Sequence, residues 1–335
     1  MGLLDDTSGE PEVVRQIRRF RASLLAEDAV QQQEMVGHWL RIEQSLEADM
    51  ERMANDFLDR LRSGKPIDQE ALLQMGRYHD LLRQVRSEVY GFAEFASESV
   101  TEKQLEFGIR AIDNALQLIQ SQRLDLLFNR LPIEAVEAMA GLAGDGSPLV
   151  TLLRKTWADA ADGMTRQLLR GTALGWNPRK TAREMQKGMA SGLNRAFNIA
   201  RTEQLRVYRD VSRQQYQNSG VVIGYKRIAA KQDRTCPACL MADGKFYELD
   251  QVMEEHPSGR CALVPIVEGE AEVTWKQGRD WFSEQDESTQ RKILGKGRYN
   301  AWVDGKFDLD ELVTTKRNNV WGDSIQSKSL QDLTA

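Results

Sequence analysis

The chain has 335 residues, of which 41% are hydrophobic and 28% are charged, a composition typical of globular proteins. No uncharged run approaches the roughly 18 residues of a membrane-spanning helix, so we expect no transmembrane segment. Three cysteines are too few for a disulfide framework, and three histidines argue against a catalytic site built on several imidazoles.

The net charge of −5 is unevenly distributed along the chain. Residues 1–150 carry −10, residues 151–240 carry +11 and residues 241–335 carry −6. A basic middle between acidic flanks indicates different partners for different parts of the chain. The alternative is that these blocks neutralise each other within one fold.

The first half of the chain is predicted to be helical. The proline-free segment 13–61 carries apolar residues in three- and four-residue steps, which place them on one face of a long helix. These residues are Trp39, Ile42, Leu46, Met50, Met53, Phe57 and Leu61. A second helix is expected after Asp68 and a third from a capping-box pattern at Thr101 toward Leu131. Short loops favour an antiparallel bundle, and a projecting helical arm is the alternative.

Turn-forming residues 144–148 give the clearest domain boundary. Helices are predicted beyond it at 149–169, 178–190 and 193–218, followed by a strand at 221–228 and short helices in the tail. The expected fold class is α+β, mainly α. The predicted domains are a helical domain or arm at 1–147, a module at 148–265 and a short helical tail at 266–335.

All three cysteines fall within 26 residues. Cys236 and Cys239 form a CxxC pair, and His256 and Cys261 follow after a hairpin-length excursion. Three thiols and one imidazole are the donor set of a closed tetrahedral Zn²⁺ site. We therefore predict a structural zinc site that stabilises residues 233–265 and activates no water. A redox cysteine pair and simple core thiols are the alternatives.

Four arginines recur on one side of the predicted helix at 193–218: Arg195, Arg206, Arg209 and Arg213. Such a face could bind DNA phosphates or an acidic protein surface. A solvated helix face paired to the acidic first half is the alternative. The sequence contains no Gly-rich phosphate loop, GxSxG or HExxH motif, and we predict no catalytic residues.

The segment 175–265 resembles the Mu F-like minor head proteins of tailed phages. The order and spacing of several short pieces carry the resemblance. These are Gly175, Asn177-Pro178, Ile199-Ala200-Arg201-Thr202-Glu203, Tyr216, Ser219-Gly220-Val221, Asp233 to Cys239, Asp243-Gly244-Lys245, His256-Pro257, Arg260-Cys261 and Val264-Pro265. The resemblance covers about 90 residues and continues weakly into the tail. One departure concerns the family pattern His-Pro-x-Cys-Arg-Cys, because Gly259 stands at its first cysteine.

The resemblance implies a minor structural protein of the phage head, present in few copies and acting in head morphogenesis and capsid assembly. Its implied partners are the portal protein and the major capsid or scaffold proteins, with double-stranded DNA as a further candidate during packaging or ejection. No small-molecule substrate is expected. The implied location is the virion, in the head interior or near the portal, after assembly in the host cytoplasm. The alternatives are a DNA-binding internal head protein that is ejected with the genome, and a nuclease or toxin-type enzyme.

Overall fold

The structure is a computed structural model that describes residues 9–123 and 128–334. The longer helices are α1 (Glu12–Arg62), α3 (Gly76–Gln120), α6 (Thr156–Ala173) and α7 (Pro178–Ser219). The short helices are α2 (Gln69–Leu73), α4 (Glu134–Glu137), α5 (Leu149–Arg154), α8 (Pro237–Met241), α9 (Gly278–Ser283), α10 (Glu287–Leu294), α11 (Lys296–Val303), a 3-10 turn (Leu309–Leu312) and α12 (Leu330–Leu333). The strands are β1 (Val222–Ile228), β2 (Phe246–Tyr247), β3 (Ala262–Val267), β4 (Val313–Asn318) and β5 (Gly322–Ser327). The expected class, α+β and mainly α, is confirmed.

Two predicted helix breaks are wrong. The helix predicted to start at Thr101 is the middle of α3, where the Thr101 hydroxyl donates to the Ser97 carbonyl at 2.7 Å instead of capping a helix end. The predicted break between 190 and 193 lies inside α7, where the Ser191 hydroxyl donates to the Gly188 carbonyl at 2.9 Å. Small polar residues therefore bond back along a continuous helix at both places. Residues 124–127, which the third predicted helix includes, lie outside the described residues.

The chain divides into two compact units, each built from separated segments. One unit comprises residues 27–101 and 141–201, and the other comprises residues up to 26, 102–140 and 202–335. Since α1, α3 and α7 each contribute to both units, these units differ from the sequential division at 147 and 265. That division remains a prediction about functional segments.

The unit of residues 27–101 and 141–201 is a helical bundle that includes parts of α1, α3 and α7 together with α6. α1 meets α3 through Trp39 and Phe92, whose rings pack edge to face with centroids 5.0 Å apart. The Tyr78 hydroxyl of α3 lies 2.8 Å from that of Thr165 in α6. The predicted apolar face of α1 lines this interior, where six of its seven residues are at most 3% exposed and only Leu61 reaches 36%. This unit supports the bundle rather than the arm.

The helices α6 and α7 cross at glycines. A methyl group on Gly163 would lie 2.7 Å from the carbonyl carbon of Gly188. Gly192 lies against Thr156 and against the indole of Trp39. Only residues without a side chain allow the two backbones to approach this closely.

The other unit contains both sheets and the predicted cysteine motif. β1 is the central strand of a three-stranded antiparallel sheet of order β2-β1-β3, with Tyr225 opposite both Tyr247 and Pro265. β4 and β5 form a separate hairpin that the sequence did not predict. Among the helices of the described segments, none combines the length and the apolar character that a bilayer crossing requires.

Candidate metal centre

The CxxC pair is positioned by the short helix α8. Cys236 is its N-cap residue, and Pro237 follows at the first helical position, where its missing N–H leaves no donor unsatisfied. Cys239 lies on the next turn and is 2% exposed. The β4–β5 hairpin packs against this helix, with Ile325 in the same apolar cluster as Cys239.

His256 and Cys261 lie on the long connection between β2 and β3. The Gly259 amide donates to the His256 carbonyl at 2.9 Å, and Ser258 between them has a φ of 60°, so the chain turns tightly here. His256 Nδ1 lies 2.9 Å from the Pro257 carbonyl oxygen. In the neutral imidazole, a proton on Nδ1 donates to that carbonyl and leaves the Nε2 lone pair available to a metal ion.

The four predicted ligands converge in the structure. Single donor atoms of Cys236, Cys239 and His256 lie within 4.8 Å of one another, and so do those of Cys239, Cys261 and Glu255. Cys239 belongs to both groups, and all three cysteines are free thiols. Donors bound tetrahedrally to one zinc ion at about 2.0–2.3 Å lie about 3.3–3.8 Å apart. The four residues lie near enough to this range for a metal ion to be a candidate occupant.

The electrostatics of the cluster favour charge separation between Cys236 and His256. Hydrogen bonds from Cys239 and His256 lower the pKa of Cys236 to about 4 against the opposing effect of burial. Burial lowers the pKa of His256, but Cys236 and Glu255 raise it by more, to about 9. Hydrogen bonds to Cys236 and Cys261, together with burial, raise the pKa of Cys239 well above its ordinary value. A thiolate and an imidazolium therefore stand beside a neutral thiol.

Two further residues, Glu255 and Arg227, belong to this cluster and were not predicted from the sequence. Glu255 Oε1 lies 3.7 Å from His256 Nε2 and 3.8 Å from the Cys239 sulfur. Arg227 on β1 is fully buried, and its Nη2 lies 3.1 Å from Glu255 Oε1 and 3.5 Å from the Cys239 sulfur. A charged residue within the apolar stretch of β1 was the available signal for Arg227. Glu255 is adjacent to His256, but its neighbour Glu254 is equally acidic, so composition did not distinguish them.

Residues of α7 hold the turn that carries His256. The Thr202 hydroxyl accepts from the Ser258 amide at 2.8 Å, and Arg209 Nη1 donates to the Gly259 carbonyl at 3.4 Å. The adjacent Glu203 is buried and accepts from the indole N–H of Trp321 at 2.6 Å. Thr202 and Glu203 are thus structural supports, a role that their place in the recognised motif did not reveal.

Each of the four arginines of the predicted basic face has a partner within the protein. Arg195 pairs with Asp159 at 3.4 Å, and Arg206 pairs with the buried Glu203 at 2.8 Å. Arg213 Nη1 donates to the Leu249 carbonyl at 2.8 Å, and Arg209 contacts the turn described above. These contacts favour the interpretation that this helix face is paired within the protein. Binding of DNA or a partner protein by these four arginines remains a prediction.

Comparison of the chain with protein-family models, with curated proteins and with solved structures gave no match in any of the three.

Proposed function

We propose that this protein is a minor structural component of a tailed-phage head, associated with the portal and with procapsid assembly. The observation that carries the proposal is the ordered set of motifs at 175–265, in which the cysteines and the histidine lie close together. Thr202 of the same motifs bonds to the turn beside His256. This bond joins the motif at 199–203 to the turn that carries His256, which supports treating them as parts of one module.

The donor set supports zinc as the metal of this cluster. Three thiols and one imidazole suit Zn²⁺, and four protein ligands leave no position for a reactive water. When bound, the ion would link α8 to the connection before β3 and so stabilise a small β-rich region. We therefore assign Cys236, Cys239, His256 and Cys261 a structural role and the protein no catalytic residue.

The head assignment is tested by locating the protein during infection. The full chain with an affinity tag is expressed from the phage, and mature particles, procapsids and free protein are separated on gradients. We expect a few copies in particles and co-purification with the portal protein. A protein found only in the free fraction would refute the assignment.

The metal assignment is tested on purified protein by elemental analysis, and we expect one zinc ion per chain. Cys239→Ser should increase hydrogen exchange in residues 233–265 and leave the bundle of residues 27–101 and 141–201 protected. Ser283→Ala, at an exposed serine remote in sequence from the cluster, is the control. Zinc-free protein, or equal loss of protection in both units after Cys239→Ser, would contradict the assignment.

A DNA-binding internal head protein is the second candidate, favoured by the hairpin of α6 and α7. Exposed cations cluster there, namely Arg166, Arg170, Arg179, Lys180, Arg183 and Lys187. Arg170 and Lys180 lie over the Trp176 ring, 5.7 and 4.1 Å from its centroid. Arg166, Arg170, Lys180 and Arg183 have no ion-pair partner within the described residues. Such a surface suits the phosphates of duplex DNA.

The DNA-binding candidate is tested by retention on nonspecific duplex DNA at graded salt. Arg170→Gln with Lys180→Gln should reduce the slope of log affinity against log salt by roughly 0.9 per lost phosphate contact. Lys316→Gln with Arg317→Gln removes the same charge from an exposed strand and is the control. No retention of the wild type at about 50 mM salt, or equal effects of both pairs, would reject this candidate.

The enzyme alternative has weaker support. A nuclease would use clustered acids, and the sequence offers Asp280, Glu284, Asp286 and Glu287. Asp286 caps α10, Glu284 pairs with Lys276 and Glu287 pairs with Arg291. Each of these three thus has a local structural partner. Metal-dependent DNA cleavage that is lost when these acids are replaced would favour the enzyme instead.

A further inference from the structure

The cluster offers more metal donors than one ion needs. Cys236, Cys239 and His256 form one group of three, and Cys239, Glu255 and Cys261 form the other. A tetrahedral zinc ion takes four ligands, so the predicted set of three cysteines and His256 does not use the Glu255 carboxylate. With Cys236, Cys239, His256 and Cys261 on one ion, a second ion would take Glu255 and would share Cys239 and Cys261 with the first.

The second group already faces a positive charge. Arg227 donates from Nη2 to Glu255 Oε1 at 3.1 Å and approaches the Cys239 sulfur at 3.5 Å. An arginine guanidinium stays protonated in proteins, so Arg227 carries a positive charge at this place. Glu255 and Cys239, which would bind a second ion, are therefore already the neighbours of a cation.

The charge balance requires a cation at this place. With all three thiols deprotonated, these and Glu255 carry four negative charges, and one divalent ion neutralises two of them. A remaining buried negative charge is costly unless a cation accompanies it. Arg227 lies on the central strand, is fully buried, and is fixed by a bond from Nη1 to the Glu254 carbonyl at 2.7 Å. It cannot leave without breaking that bond.

We propose that Arg227 occupies the place of a second metal cation in the Cys239–Glu255–Cys261 group and so limits the cluster to one ion. This rests on the metal centre proposed above. Arg227 is a positioning residue, because it also orients Glu255 and Cys239 through its Nη2 hydrogens. The carboxylate of Glu255 then remains bonded to the guanidinium and does not bind the metal.

The test measures metal stoichiometry on the full chain. Protein stripped by a chelator is titrated with Zn²⁺ or Cd²⁺, and bound metal is counted after gel filtration. The wild type should hold one ion even in excess metal. Arg227→Met, which removes the charge and keeps a long side chain, should hold two, and adding Glu255→Gln should return the count to one. Arg227→Lys retains a cation and should stay at one.

Each outcome separates the two proposals. A wild type that binds no metal rejects the metal centre together with this inference. One ion in both the wild type and folded Arg227→Met rejects only the role of Arg227. Two ions in the wild type also reject it, and this measurement does not depend on whether the Arg227→Met variant folds.

Discussion

The glycine crossing of α6 and α7 permits a sharp test of the bundle. Gly163→Ala adds one methyl group, which would lie 2.7 Å from the Gly188 carbonyl carbon and closer still to its oxygen. Both are backbone atoms, so the helices must separate by about 1 Å, which forfeits up to about half of the dispersion energy at the contact. Overpacking of this kind costs about 3 kcal/mol, against a gain of about 1 kcal/mol from the helix propensity of alanine. We expect a net loss of about 2 kcal/mol.

Gly91→Ala is the matched control, because Gly91 lies in α3 with open space where the methyl group would stand. There only the propensity gain of about 1 kcal/mol remains, so the two variants should differ by about 3 kcal/mol. Urea unfolding followed by far-ultraviolet circular dichroism measures the difference. Two variants of equal stability would show that the helices do not approach at Gly163 as described.

Three further results are expected. Metal binding at neutral pH should release at least two protons per ion, because the raised pKa values of Cys239 and His256 keep both residues protonated before binding. Calorimetry in buffers of different ionisation enthalpy counts the released protons. Release of no protons would contradict the pKa shifts. Trp321→Phe should destabilise the β4–β5 hairpin by about 2 kcal/mol, because the buried Glu203 loses a hydrogen-bond donor. Unchanged hydrogen exchange in the hairpin would contradict this prediction. Thr202→Val should weaken metal binding, because the Ser258 amide loses its acceptor in the turn that carries His256, while the urea midpoint of the bundle stays constant. Unaltered metal affinity would show that the turn does not need the Thr202 hydroxyl.

Much of the helical framework could be predicted from periodicity and end signals. α1 runs over Glu12–Arg62, against a prediction of 13–61, because its apolar steps and the turn formers after it are both local signals. Asp68 caps a helix as predicted, accepting from the Ala71 amide at 2.8 Å, but that helix, α2, ends at Leu73 and does not continue as expected. The strand predicted at 221–228 is β1, Val222–Ile228. These features depend on neighbours in sequence, which is why they could be predicted.

Other features depend on contacts between distant parts of the chain. Ser191 and Gly192 predict a helix break, but both make contacts within a continuous helix. The Ser191 hydroxyl donates to the Asp159 carbonyl at 2.6 Å, and Gly192 accommodates the Trp39 ring. β4 and β5 carry few apolar residues in alternation, so the pattern did not indicate a hairpin. In the candidate site the proximity of the cysteines and His256 could be predicted from their spacing. The contact of Arg227 with them could not, because its partners lie on a different segment.

Gly259 and Glu255 depend on each other in the cluster. A side chain at Gly259 would collide with the carboxylate of Glu255, so that carboxylate fills the space beside Gly259. Glu255 also accepts from Arg227 at 3.1 Å. A carboxylate held by a guanidinium binds zinc less readily than a free thiolate does, so we expect Cys261, and not Glu255, to bind the proposed metal ion. Placing a cysteine at Gly259 alone should therefore add no ligand, because Glu255 would first have to leave the space.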